Sequence, residues 1–167
     1  MINLFFEYNQ KSQDLERSLK LAGYQHPSVV IQDNGFLPDG VDSPLRYFLG
    51  VAGSEFTGRP RYFNEIDLPK FWEIKADSQG GEVLDHGQKQ ANIRYWKNNN
   101  LRQVSQVEWL DKSGQVRVID HYNQWGWKYA VTSCDKNGRQ AMTSYFASNG
   151  QEVLIRNHLT GDYTYNM

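Results

Sequence analysis

Five glycines, Gly114, Gly126, Gly138, Gly150 and Gly161, recur at spacings of 12, 12, 12 and 11 residues. Each lies in a polar or aromatic cluster: DKSGQ (111–115), NQWGW (123–127), DKNGR (135–139), ASNGQ (147–151) and LTGDY (159–163). A glycine cluster every dozen residues leaves room for one strand and one tight turn, and for nothing longer. The intervening segments QVRVIDHY, WKYAVTSC, RQAMTSYF and EVLIRNH are of strand length and rich in Val, Ile, Tyr, Trp and Thr. Glycine supplies the positive φ that a hairpin needs, here as a type I turn closed by a glycine bulge. The same texture begins at Lys70, where FWEIKA, EVLDH, NIRYWK and QVSQVEWL are further candidates. An antiparallel meander of seven or eight strands follows.

The turns also imply a register. If Asp111 faces Gln115, and the next three turns behave alike, one transverse row holds Val107, Ile119, Val131, Thr143 and Ile155. All five are β-branched and spaced by 12. The next row on that face is Ser105, His121, Tyr129, Tyr145 and Val153. The opposite face carries Gln106, Asp120, Ala130, Ser144 and Leu154, a more polar set. β-branched and aromatic cross-strand neighbours contribute roughly 0.2–1 kcal/mol each. The second face is expected to be only half-covered, which makes an extended, largely single-layer sheet.

The first fifty residues read differently, as strand, helix and strand. Ile2–Phe6 is a short apolar run. Ser12 is a candidate N-cap, with Asp14 and Glu16 in the first turn and Lys20 in the last. Leu15, Leu19 and Ala22 form an apolar stripe, and Gly23 ends the helix. Val29–Ile31 supplies a second strand, and Asn34-Gly35 turns the chain. A unit of this size implies a parallel pair with a helical crossover. Parallel sheets need cover on both faces, so this unit is incomplete. Either it belongs to a longer protein or a partner completes it. Residues 37–69, with four prolines and four glycines, read as connection rather than sheet, with a helical turn in SPLRYFLG.

Composition narrows the function. The chain is 39% hydrophobic and 22% charged, as a folded globular chain is. A net charge of −1, without local Lys/Arg runs, removes the electrostatic case for nucleic acid. No apolar run approaches the length of a membrane span. MINLFFEYNQ lacks the basic and long apolar regions of a secretion leader, so none is expected. Cys134 is alone, which suits a reducing compartment and closes no internal disulfide. Asp85-His86 and Asp120-His121 are neighbours on strands, so each pair should point to opposite faces and form no catalytic dyad. His26, His86, His121 and His158 show no metal-ligand spacing. Gly80-Gly81 has no phosphate-loop context and reads as a turn.

Aromatic residues are 14% of the chain and crowd the sheet. Trp109, Trp125, Trp127 and Tyr129 are the candidate contact residues, either for a protein partner or for stacking on sugar rings. Trp125 falls in a turn, where burial is difficult. Their ordinary alternative is packing along a thin core. Cell-wall carbohydrate-binding repeats use similar residues but a period near 20, so a scaffold or docking sheet is favoured, with a glycan-binding β-repeat as the alternative.

Several stretches carry a family resemblance. MINLFFEYNQKSQDLERSLKLAGYQHPSVVIQDNGFLP, SPLRYFLG, RPRYFNEIDLPKFWEI, VEWLDKSGQVRVIDHYNQWGWKYA, MTSYFASNGQEV and NHLTGDY together resemble the glycosylation-stabilising co-activators (GtfB type) of bacterial accessory Sec systems. The likeness covers essentially all 167 residues. It implies an α+β architecture: residues 1–58 a partial Rossmann-like βαβ unit, residues 59–167 an inserted antiparallel β-meander. It implies a non-catalytic protein without a cofactor, paired with a catalytic glycosyltransferase sister subunit. That complex would transfer N-acetylglucosamine to Ser/Thr of a serine-rich repeat adhesin in the cytoplasm, with the inner face of the cell membrane as a peripheral location. The co-activator would stabilise the subunit and hold the acceptor polypeptide. A hetero-oligomer is expected at full length, and a homodimer stays open for the fragment. No catalytic or nucleotide-sugar residue carries over.

Overall fold

The computed structural model describes residues 1–52, 56–96 and 101–166. Gly53 of the expected connection and Lys97 of the NIRYWK candidate lie outside them. The chain forms two compact units, Met1–Phe56 and Thr57–Met167, and each is described by itself.

The first unit holds β1 (Asn3–Glu7), α1 (Gln10–Leu21), β2 (Ser28–Gln32), β3 (Val41–Asp42) and α2 (Pro44–Phe48). β1 and β2 pair in parallel, with Phe5 opposite Val30. β3 adds a third parallel strand beside β2, which corrects the reading of residues 37–69 as free of sheet. Two residues are too few for a periodic signal, yet Val41 closes the core formed with Val30 and Leu37. Asn9, not Ser12, caps α1. Its side-chain oxygen accepts the Ser12 N–H at 3.2 Å, while the Ser12 hydroxyl donates to the Glu7 carbonyl at 2.6 Å. Asn and Ser are comparable caps, and the extended backbone of Asn9 decides between them. Gly23, at φ +87, ends the helix as expected.

The apolar stripe of α1 is not its inward face: Leu15 is 53% exposed. Glu16 takes the inward position and is 8% exposed. Its carboxylate accepts from the Tyr8 hydroxyl and from the Ser28 hydroxyl at 2.9 Å, and lies 3.1 Å from Lys20 Nζ. A buried carboxylate persists only with such partners. Burial first, and Glu16 second, push the Tyr8 phenol up to about 12.

The second unit opens with a 3-10 turn (Phe63–Glu65) and continues as β4 (Glu73–Ala76), β5 (Gly81–Asp85), β6 (Gln88–Tyr95), β7 (Val104–Leu110), β8 (Val116–Tyr122), β9 (Lys128–Cys134), β10 (Gln140–Phe146), β11 (Glu152–Asn157) and β12 (Tyr163–Tyr165). Among the described residues these form one nine-stranded sheet in which every strand pairs with its chain neighbours. β12 exceeds the seven or eight strands expected because it is only three residues long. The turns are as read: the Gly114 amide donates to the Asp111 carbonyl at 2.9 Å, and the Asp111 amide to the Gln115 carbonyl at 2.8 Å. The same two bonds recur around Gly126, Gly138 and Gly150. At the fifth turn the Gly161 amide reaches one residue further, to Asn157 at 2.9 Å.

A second periodic feature overturns the expected rows. Ser105, Arg117, Tyr129, Ala141 and Val153 are each passed over in the pairing with the preceding strand. Each is the second residue of its strand, and they too are spaced by 12. Every such bulge moves the pairing by one residue. Val107 therefore faces Asp120, followed by Val131, Ser144 and Ile155. Ile119 and Thr143 belong to the other face, in a row with Glu108, Thr132 and Arg156. Gln106, His121, Ala130, Tyr145 and Leu154 form the next row on that face. The glycine of each turn is legible in sequence. The bulged residues share no chemistry and leave no signal.

On the Val107 face, Ile66, Val83, Ala91, Ile93, Val104, Val107 and Tyr122 form the core, with Phe63, Leu68 and Trp72 packed on it. The segment before β4 is thus a lid over the middle of the sheet, rather than a spacer. The other face holds a polar chain. Gln106 Nε2 lies 3.3 Å from His121 Nδ1, and His121 Nε2 lies 2.8 Å from the Thr132 hydroxyl. That hydroxyl is 2.7 Å from Thr143 Oγ1, which is 2.7 Å from His158 Nε2. Burial pushes the His121 imidazole down to about 4. One expectation about Asp–His neighbours fails. His86 lies 2.6 Å from the Asp85 carboxylate, because His86 (φ +47) and Gly87 (φ +79) form the two-residue turn after β5 and are not strand residues.

Two predictions follow from this geometry. Gly114→Ala should cost about 1–2 kcal/mol for a left-handed non-glycine residue, since a Cβ at Gly114 meets nothing within 4 Å. Gly126→Ala should cost clearly more in the same urea titration, because its Cβ would lie 2.3 Å from the Arg59 carbonyl oxygen. For pH, the unfolded chain holds a proton on His121 that the folded chain releases until about 4. Thermal stability is therefore full above the ordinary histidine range, near pH 6.5, and falls as pH drops toward about 4. His121→Gln should reduce that slope in a melting series.

Candidate interaction surface

The expected contact residues are distributed over three environments. Trp109, on β7, is half-buried; its indole N–H donates to Asp120 Oδ2 at 2.9 Å, and its ring lies 6.4 Å from that of Trp72. Asp120 is 6% exposed and also holds Lys128 Nζ at 3.3 Å. Tyr129, a bulged residue, is 5% exposed and meets the His121 ring edge-to-face at 6.2 Å. Asp120 and His121 point to opposite faces, and so do the two aromatics that serve them.

Trp125 and Trp127 are in the β8–β9 turn, where sequence placed Trp125, and both are half-buried. Their rings stack on each other at 5.5 Å and 13°. The Trp127 indole donates to the Phe146 carbonyl at 3.3 Å. The turn is held from within by Asn123, whose side-chain oxygen accepts the Trp125 and Gly126 amides at 3.1 Å. It is held from outside by the Gly58–Arg61 segment. Arg61 Nε donates to the Gly126 carbonyl at 2.7 Å, and the Arg61 guanidinium lies 5.4 Å from the Tyr122 ring centre. A Cβ on Gly58 would lie 2.6 Å from the Trp125 carbonyl oxygen. Arg59 pairs with Glu65 at 2.8 Å and holds that carboxylate down to about 2, with the Tyr62 amide assisting. Sequence reading missed this clamp. Its trace is the GRPR run at 58–61, where a glycine precedes two arginines outside any hairpin.

The larger exposed apolar surface belongs to the first unit. Leu4 and Phe6 of β1 and Ile31 of β2 are 60%, 64% and 48% exposed and lie on the face opposite Phe5 and Val30. At the edge of the second unit's sheet, Tyr163 and Tyr165 of β12 are 56% and 53% exposed. Among the described residues no group of three His, Cys, Asp or Glu is placed to hold a metal ion. Burial raises the Cys134 thiol, which makes it a poor nucleophile.

A family model described as the GtfB middle domain matches residues 72–167, and one described as the GtfB N-terminal domain matches residues 2–48. The chain is 47% identical over 163 residues to the UDP-N-acetylglucosamine–peptide N-acetylglucosaminyltransferase stabilizing protein GtfB of Streptococcus gordonii, covering 97% of this chain and 36% of that protein. The GtfB of Streptococcus pneumoniae is 43% identical, over 97% of this chain and 36% of its own length. This chain therefore spans about a third of the curated relatives it matches. Among solved structures, a chain of the GtfA/B complex bound to UDP and GlcNAc superposes with a TM-score of 0.93 at 44% identity, covering 100% of this chain and 37% of that one.

Trp109→Phe tests whether that indole is structural. It should cost about 1–3 kcal/mol by leaving Asp120 short of a donor, read from urea unfolding.

Proposed function

We propose a function from one premise: this chain belongs to the GtfB family. It is the N-terminal part of a non-catalytic stabilising protein, and its partner is a catalytic glycosyltransferase subunit of the GtfA type. The observation that carries this reading is the superposition of the whole chain on a chain of the GtfA/B complex, with a TM-score of 0.93 at 44% identity. The relatives' names, as stabilising proteins of an N-acetylglucosaminyltransferase, support the non-catalytic role.

The full assembly adds N-acetylglucosamine from a UDP-sugar to Ser/Thr of a serine-rich repeat adhesin. It works in the cytoplasm, with the inner face of the membrane as its peripheral site, and the stabilising protein helps hold the acceptor polypeptide. The fold supports a docking role in two ways. The bare face of Leu4, Phe6 and Ile31 is a surface that a parallel sheet normally covers, and the relatives' remaining length is its proposed cover. Among the described residues the sheet is a single nine-stranded layer, a broad surface on which a partner subunit can pack. Glycan stacking on the tryptophans receives less support: Trp125 and Trp127 stack on each other, and Tyr129 is buried.

A pull-down tests the reading. The tagged chain should retain a purified GtfA-type subunit and compete with a full-length GtfB relative for it. If it does neither, the proposal fails.

A further inference from the structure

Four side chains on one face of the sheet form an unbroken hydrogen-bonded line. His121 belongs to β8, Thr132 to β9 and Thr143 to β10, and His158 follows β11. The links measure 2.8, 2.7 and 2.7 Å. Thr132 is 1% exposed and Thr143 is 4% exposed, so water does not substitute for either partner. Each link needs one proton, and the two hydroxyls bring two between them. The third must come from Nε2 of one histidine, and the other Nε2 must then accept. Gln106 chooses the direction. Its amide nitrogen lies 3.3 Å from His121 Nδ1 and donates to it. His121 therefore carries its proton on Nε2 and donates into the line, and His158 Nε2 accepts at the far end.

We propose that the His121–Thr132–Thr143–His158 line is a one-proton switch that joins β8 to the turn after β11 and opens on the second proton. The first added proton is accommodated at either end. On His121 it occupies Nδ1 and the line keeps its direction. On His158 it occupies Nε2, the line reverses, and the His121 proton moves to Nδ1. In both cases the Gln106 amide turns its oxygen toward Nδ1–H. A second proton puts a donor Nε2–H at each end. Four protons then face three links, and one link must break.

The surroundings favour the neutral line. On β7 the charged residue of this face is Glu108, engaged by Arg94 at 3.1 Å. Asp120 of β8 points to the other face, toward Trp109 and Lys128. β9 contributes the Tyr129 ring, and β10 has no charged residue. β11 brings Arg156, whose guanidinium lies 5.5 Å from the Tyr163 ring of β12. Burial and Arg156 both hold the His158 imidazole below its ordinary value.

Long-range proton–nitrogen NMR of the histidine rings in this chain decides the matter. At neutral pH, His121 should show the Nε2–H form and His158 the Nδ1–H form. On acidification the two rings should titrate in steps more than about one pH unit apart. Thr132→Val, which breaks the line, should free His158 to take either tautomer, and Thr143→Ser, which keeps the hydroxyl, should hold it in the Nδ1–H form. Finding both rings in the same tautomer, or taking up protons in a single step, would overturn the proposal. Those two readings come from the unaltered chain, so they stand even where Thr132→Val does not fold.

Discussion

Four successive turns of the sheet, from β7 to β11, depend on a paired backbone device repeated every 12 residues: a left-handed glycine that closes the turn and a residue passed over in the pairing as the second of the next strand. The glycine sets where the chain reverses. The bulge then moves the pairing by one, so a side chain's face is decided by both together. The consequence is visible at Val107, which is opposite Asp120 and not Ile119. Because each strand pairs only with its chain neighbours, the same small correction is applied strand after strand and never has to be reconciled with a distant partner.

That correction explains why neither face of the sheet is simply apolar. Asp120 and His121 are adjacent, yet each anchors a different network. Asp120 holds Trp109 and Lys128 on the core side. His121 begins the threonine line on the other. A β-branched row on one face would have made a uniform sandwich face. The bulges instead divide the branched residues between two surfaces, and buried hydroxyls fill the gap by bonding to each other. Thr132 is only 1% exposed, and its hydroxyl is paired on both sides, with His121 and with Thr143.

Much of this was legible from residue order. The glycine period gave the meander, the positive φ and the turn hydrogen bonds. The first strand–helix–strand unit, its parallel pairing and its lack of cover were also visible. What failed was whatever rests on unpatterned residues. The bulges are Ser, Arg, Tyr, Ala and Val, so no rule of composition marks them. The α1 cap fell between Asn9 and Ser12, two residues of similar capping strength. Glu16 faces inward because Tyr8 and Ser28 meet it there, and those partners are distant in sequence. For the contact residues, sequence located the Trp125 turn but not the Gly58–Arg61 segment that clamps it. That clamp joins residues 65 apart, beyond the reach of any local pattern.

The two outer strands of the described sheet are unequal. β4 carries Glu73 and Lys75 and is preceded by the segment that packs on the core; charge of this kind blunts edge pairing. β12 is Tyr-Thr-Tyr, without a charge, and both tyrosines are more than half exposed. The guanidinium of Arg156, on the neighbouring strand, lies 5.5 Å from the Tyr163 ring centre. Charge thus separates the two outer strands of the described sheet: β4 carries it and β12 does not.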